Sequence, residues 1–442
     1  MLNRTPEKAK IEFPPELRQK ILDQLVTKIG NTPETDHMRQ DVIKLAEQVV
    51  SEVIRTERAP FSRAAEEILV RETVDQVLGF GPIEPLIQDE SITEIMVNGP
   101  TRVYVERKGN VELSGVRFQD ENQLRQVIEK IVSPLGRRID ESSPMVDARL
   151  PDGSRVNAVI PPLAIDGSVL TIRKFSKKSL SVRDLVGFNS LSRDMATFLA
   201  ACVRAKANIM VSGGTGSGKT TLLGALSSFI PSNERILTIE DAAELRLQQD
   251  HIVRLESRPP NIEGQGQVSI RDLVKNALRM RPDRIIVGEV RGGETLDMLQ
   301  AMNTGHEGSL STLHANTPRD CLSRMETMTM MAGMDIPQRA IREQIASAID
   351  IIVQIARLAD GSRRIISIAE VIGMEEGVIT LQEIFRMRPL ALEKDLGNES
   401  PHEATGLVPQ FLKKIEEAGI SLPPDIFKTT ERHFPIPRVG RE

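Results

Sequence analysis

The sequence predicts an α/β protein in three parts: N-terminal helices, a small α+β domain, and a larger domain built on a parallel sheet covered by helices. Three observations carry this reading. After residue 196, short apolar runs (NIMVS, RILTI, RIIVGEV, SLSTLH) alternate with helical segments, the pattern of strand–helix–strand units. Between Gly79 and residue 178, strands alternate with Gly and Asn turns around a single helix. Ahead of that, residues 14–75 carry apolar positions at helical spacing.

In the first part Leu17, Ile21 and Leu25 recur at one helical face, as do Val42, Leu45, Val49 and Val53. An ordinary helical bundle or a docking segment accounts for it. The second part reads as strands SITEIMVNG and RVYVERKGNVEL, a helix ENQLRQVIEKIVSPLG, and strands RVNAVIPP and SVLTIRKF. The stretch KKSLSVRDLVGFNSLS is polar with few apolar anchors and reads as a linker. The third part closes with DIIVQIARL, RRIISIAEV and VITLQEIFRM, a terminal antiparallel meander, and a Pro-rich tail with one short helix, VPQFLKKIEEAG. The boundaries expected are residues 1–72, 73–178, 179–195 (linker), 196–390 and 391–442.

Composition narrows the function classes. The 442 residues are 40% hydrophobic and 27% charged, ordinary for a globular chain of several domains. No apolar run approaches the roughly 18 residues of a membrane span, and MLNRTPEKAKIEFPPEL has no apolar signal core. Membrane contact is therefore expected only through a partner. The 2 cysteines, Cys202 and Cys321, have neither disulfide nor zinc spacing, which suits a reducing compartment. A net charge of −5, no Trp and 3% aromatics leave neither a basic stripe nor a stacking platform, so no direct nucleic-acid contact is expected.

The chemistry-bearing residues begin at Gly213-Gly214-Thr215-Gly216-Ser217-Gly218-Lys219-Thr220, which matches G-x-x-x-x-G-K-[ST] between an apolar strand and a helix. Glycines let the backbone turn its amides inward around phosphates, and the helix start adds positive potential. Lys219 can reach the β- and γ-phosphates, and the Thr220 hydroxyl suits Mg²⁺. Further on, RPDRIIVGEVR places Glu289 near the carboxyl end of a strand, where a carboxylate can polarise an attacking water. The acid often found just before it is replaced by Gly288, so Mg²⁺ needs another supplier. Glu240, acting through a water, is preferred over Asp241 and Glu244; an acidic cluster at a helix start is the plainer account of all three. His314, at a strand end, suits a γ-phosphate sensor, and His306 flanks the same strand. Arg155 and Arg173 lie on consecutive strands of the α+β domain. Spacing alone favours a surface ion pair for them over transition-state stabilisation.

Taken in order, GGTGSGKT, LTIEDAAEL, RPDRIIVGEVRGGE and TGHEGSLSTLHAN resemble the Walker A, Asp box, atypical Walker B and His box of the secretion ATPases of the type II and type IV pilus superfamily. The segments LGFGPIEPLIQDESITEIMVNGP, LPDGSRVNAVIPPLA and GLVPQFLKKIEEAGI resemble its CpaF (TadA) branch, which drives Tad (Flp) pilus assembly. The resemblance spans roughly residues 70–425. It implies a RecA-like P-loop ATPase domain, ATP or ADP with Mg²⁺ bound between two domains, a homo-hexameric ring, and inner-membrane platform proteins as partners of a cytoplasmic motor. Carried residue by residue, it implies phosphate contacts from Gly213 to Thr221, Lys219 among them. Thr220 and Glu240 would serve the metal, Glu289 would be the catalytic carboxylate, His314 a γ-phosphate contact, and Arg155 and Arg173 arginine fingers. Gly288 fits the family, whose Walker B lacks the Asp, and no zinc is expected. A related VirB11-type translocase would predict stimulation by DNA. A GTPase would need an N/T-K-x-D reader, and a non-catalytic ring sits poorly with Lys219 and Glu289.

Overall fold

A computed structural model of the protein describes residues 13–29, 38–57, 61–107, 109–175, 180–260, 264–388 and 400–429. Parts of the expected N-terminal segment (1–12, 30–37) and C-terminal extension (391–399, 430–442) lie outside the described residues, as does residue 179 of the linker. The chain divides into two units, Met1–Ser176 and Lys177–Glu442.

In the first unit α1 (Pro15–Ile29), α2 (Met38–Thr56) and α3 (Arg63–Val77) pack through Ile21, Leu25, Val49, Val53 and Leu69, one inward stripe per helix. Ser62 starts α3, its hydroxyl accepting from the Ala65 amide at 3.3 Å. The boundary expected between residues 72 and 73 falls inside this helix.

There follow α4 (Glu84–Gln88), β1 (Ile92–Asn98), β2 (Val103–Arg107), β3 (Asn110–Leu113), α5 (Glu121–Val132), β4 (Met145–Arg149), β5 (Arg155–Val159) and β6 (Val169–Arg173). The strands form an antiparallel sheet in the order β3-β2-β1-β6-β5-β4. Alternate residues such as Ile95, Val105, Val156 and Ile172 share a buried cluster with Leu124 and Ile128 of α5. The intervening positions point to the other face.

The second unit runs α6 (Val182–Gly187), α7 (Arg193–Arg204), β7 (Ile209–Gly213), α8 (Lys219–Ser227), β8 (Ile236–Glu240), β9 (Ile252–Glu256), α9 (Ile270–Ala277), β10 (Arg284–Val287), α10 (Glu294–Asn303) and β11 (Leu310–Leu313). It continues with α11 (Pro318–Met330), α12 (Gln338–Ala348), β12 (Ile351–Arg357), β13 (Arg363–Glu375), β14 (Val378–Met387), β15 (His402–Ala404) and α13 (Leu412–Glu417). One sheet joins its strands in the order β15-β14-β13-β12-β7-β11-β10-β8-β9, parallel from β12 to β9. This is the α/β, RecA-like arrangement the sequence predicts. Because its central strands are buried on both faces, successive residues feed opposite cores. Ile209 and Val211 join α7 and α8, whereas Met210 joins the cluster of α9 to α12.

Two expectations change at this level. The linker contains α6, which is opened by a Ser181–Asp184 capping box, and Leu185 and Leu191 are buried in the first core. The tail expected beyond residue 390 returns to the sheet: β15 pairs with β14, and Phe411, Ile415, Ile426 and Phe427 pack into that same core. The Phe427 ring lies 5.5 Å from Phe198 and 6.0 Å from Phe385. The expected antiparallel meander is present from β12 to β14; β15 extends it, and β12 is also the parallel neighbour of β7.

Candidate active site

Four adjacent parallel strands, β7, β11, β10 and β8, bring most of the sequence-predicted residues to the carboxyl end of the sheet. The chain leaves β7, crosses to β8 and returns through β10 to β11. The order therefore reverses beside β7, where a crevice for ligand opens.

The loop after β7 is shaped by its glycines. A Cβ on Gly213 would sit 2.3 Å from the Ile355 carbonyl oxygen, too close for any other residue. Gly216 (φ +69°) and Gly218 (φ +95°) take left-handed conformations. Lys219 opens α8 and is buried, its Nζ 3.1 Å from the Gly213 and Gly214 oxygens and 3.3 Å from both ring nitrogens of His314. Ser217 is buried and donates to Gly214 O at 2.8 Å; Thr220 is half-buried and Thr221 exposed. A cavity of about 540 Å³ adjoins the loop, lined by Gly214, Thr215, His314, Asn316, Asp320 and Arg324 among others.

Glu289 follows β10. Its Oε2 accepts from Arg291 Nε at 2.9 Å, and its Oε1 lies 2.7 Å from His314 Nε2, at ion-pair distance but without hydrogen-bond alignment. Burial, with Lys219 adding to it, holds the His314 imidazole below its usual pKa against the opposing pull of Glu289, so the ring is neutral at pH 7. Arg291 reaches on to Asp241 at 3.6 Å. Its role is not legible in GEVRGGE, although the residue stands beside the predicted acid.

Glu240 ends β8 and is buried. Its Oε2 accepts from the Glu244 and Leu245 amides at 2.7 and 2.9 Å, which holds the following turn. Its Oε1 is buried with no hydrogen-bond partner among the described residues, and burial raises its pKa. A Cβ on Gly288 would lie 2.8 Å from Glu240 Cγ, so an Asp there would displace the glutamate. That contact gives a physical reason for the missing acid. Among the described residues no group of three or more His, Cys, Asp or Glu side chains is arranged to hold a metal ion alone. Mg²⁺ asks for less, because phosphate oxygens and waters fill most of its shell. The orphaned Glu240 oxygen fits such a partly supplied ion.

His306 is not brought to this end. It precedes β11 at the amino end of the strand, its carbonyl accepting from Ser309 Oγ at 2.8 Å. A four-residue strand separates it from His314. Arg155 and Arg173 belong to the first unit, where they face each other in register across β5 and β6. Arg149 of β4 lies opposite Arg155, and Glu94 of β1 opposite Arg173, so three arginines form one row on the face away from α5. Arg149 escapes the sequence reading because its strand, MVDAR, has little apolar pattern.

The family described as type II/IV secretion system protein matches residues 76–390, the greater part of the sequence. The chain belongs to this family. Among relatives of this secretion family, a putative conjugal transfer protein of Mycobacterium tuberculosis is 39% identical over 300 residues, 66% of this chain and 85% of that one. The type IV secretion system protein VirB11 of Bartonella henselae is 35% identical over 321 residues, 63% of this chain and 88% of that one. The crystal structure of the VirB11 ATPase from the Brucella suis type IV secretion system, in complex with sulphate, is 30% identical with a TM-score of 0.37 and covers 65% of this chain and 95% of that one. Among the described residues no helix is long and apolar enough to cross a membrane.

Proposed function

We propose that this secretion-family chain is an ATP-hydrolysing motor subunit, a P-loop ATPase that converts ATP and water to ADP and phosphate. One observation carries the reading: Lys219, His314, Glu289 and Glu240 converge at the carboxyl ends of four neighbouring strands around a glycine loop. Amides from Gly213 to Thr221 and the Lys219 ammonium grip the triphosphate, exchanging the loop carbonyls for phosphate oxygens. Glu289 takes the proton of the attacking water. His314, neutral and beside both Lys219 and Glu289, contacts the γ-phosphate. The Thr220 hydroxyl and, through a water, Glu240 hold Mg²⁺, which offsets phosphate charge when bound. Arg155 and Arg173 supply guanidinium charge to the transition state, within the ring or across it.

At the level of the machine, we read the chain as a homo-hexameric cytoplasmic motor held at the inner membrane by platform proteins. It would power assembly or retraction of a Tad (Flp) pilus, with no nucleic-acid contact of its own. The segments quoted above from the CpaF branch support this. A second reading, a VirB11-type translocation ATPase, is favoured by the names of the conjugal-transfer and VirB11 relatives. Phosphate release by the purified full chain tests both. The first reading expects Mg²⁺-dependent hydrolysis indifferent to added DNA; strong stimulation by DNA would favour the second. No hydrolysis under any of these conditions would remove both.

A further inference from the structure

The turn joining β12 to β13 leaves two arginines side by side, Arg357 in register with Arg363. They meet the phosphate loop differently. Arg363 Nε donates to the Gly216 carbonyl at 2.9 Å, a contact between residues 147 positions apart, and its Cδ would lie 3.2 Å from a Cβ placed on Gly218. The nearest Arg357 atom would be 4.0 Å from a Cβ placed on Gly216.

Holding one carbonyl fixes more than one atom. The Gly216–Ser217 peptide is trans, so its C=O and N–H point in opposite directions. With the oxygen held by Arg363, the Ser217 amide on the opposite edge of the peptide lies 3.4 Å from Gly214 O across the loop. On the ATP-hydrolysing reading that amide exchanges Gly214 O for a phosphate oxygen. A glycine-rich segment has many alternative conformations, and each one populated lowers the fraction ready to bind.

We propose that Arg363 is a positioning residue for nucleotide binding, its bond to Gly216 O keeping the Ser217 amide aimed at the phosphates. The cost of losing it falls on every ligand the loop grips and disappears once the ligand is seated. It therefore appears in KM and in ADP affinity, not in kcat. The proposal rests on the ATP-hydrolysing reading above.

The test measures steady-state hydrolysis and ADP binding by the full chain carrying Arg363→Gln, Arg363→Lys, Arg357→Gln or Lys219→Ala, each checked for folding by its melting curve. A charge-assisted bond of this kind predicts that Arg363→Gln raises KM and the ADP Kd together, roughly tenfold, with kcat unchanged. Arg363→Lys, which keeps a donor, recovers most of that loss, and Arg357→Gln loses less than Arg363→Gln. Unchanged ADP affinity in Arg363→Gln would overturn the proposal. So would a fall in kcat at constant KM, or an equal loss in Arg357→Gln, which would point to general positive charge. Lys219→Ala separates the two levels of failure. If it binds ADP normally, the loop reading itself is gone; if it loses ADP while Arg363→Gln does not, only the positioning role fails.

Discussion

At the amino ends of the parallel strands, buried polar groups close on one another. Arg284, fully buried at the head of β10, pairs with Glu234 and donates to Gly308 O at 3.2 Å. Its guanidinium fills the space a Cβ on Gly308 would need. Asn208, just ahead of β7, donates to Ala348 O at 2.7 Å and accepts from the Gly308 and Ser309 amides at 2.8 and 3.0 Å. His306 Nδ1 and Gln344 Oε1, buried without hydrogen-bond partners among the described residues, are exceptions. At the carboxyl ends the matching is unfinished. Among the described residues Glu240 keeps a lone Oε1, and Glu289 Oε1 lacks an aligned donor. An unmatched buried polar group costs several kcal/mol. One end of the sheet is therefore matched largely from within the chain, while the other leaves the Glu240 and Glu289 Oε1 atoms without aligned donors among the described residues.

If that contrast holds, damage to the two ends has different consequences. The largest effect on stability belongs to the amino end. Arg284→Ala leaves Glu234 uncompensated and opens a void beside Gly308, and should lower folding stability by about 3 kcal/mol. The denaturation midpoint reads this, and ADP affinity of the folded fraction should stay as in the wild type. A loss of affinity without a loss of stability would blur the distinction between the ends. Gly288→Ala strikes the carboxyl end more gently. Its Cβ would press on Glu240 Cγ from 2.8 Å, at a cost of about 1–3 kcal/mol. The informative readout is the Mg²⁺ concentration for half-maximal hydrolysis, which should rise as Glu240 is displaced. An unchanged Mg²⁺ requirement would take Glu240 out of the metal's surroundings.

What the sequence made legible follows the range of the interactions. The phosphate loop is a local object, and its consecutive glycines and Lys219 announce it. The two-face burial of β7, β8, β10 and β11 produces unbroken apolar runs, so these strands read clearly. β4 and β9 do not, because MVDAR and IVRLE are half-exposed and mix charge into the strand. The linker and tail looked independent because Leu185, Leu191, Phe411 and Phe427 are sparse within polar sequence. Only the folded chain gathers them into one core. The family resemblance accounts for Gly288 as a pattern, but the physical reason, Glu240 lying against it from forty-eight positions earlier, needs the folded chain. Arg363 carries no local signal at all, since its partner Gly216 is contributed by a different part of the chain.

In the proposed mechanism Glu289, at the end of a strand two places from the loop's own, activates water against a triphosphate held by the loop. Measuring ATP binding and phosphate release side by side in Glu289→Gln addresses it directly. The expected result is binding like the wild type, with hydrolysis slower by about 10²–10⁴-fold. Wild-type release from that variant would contradict it.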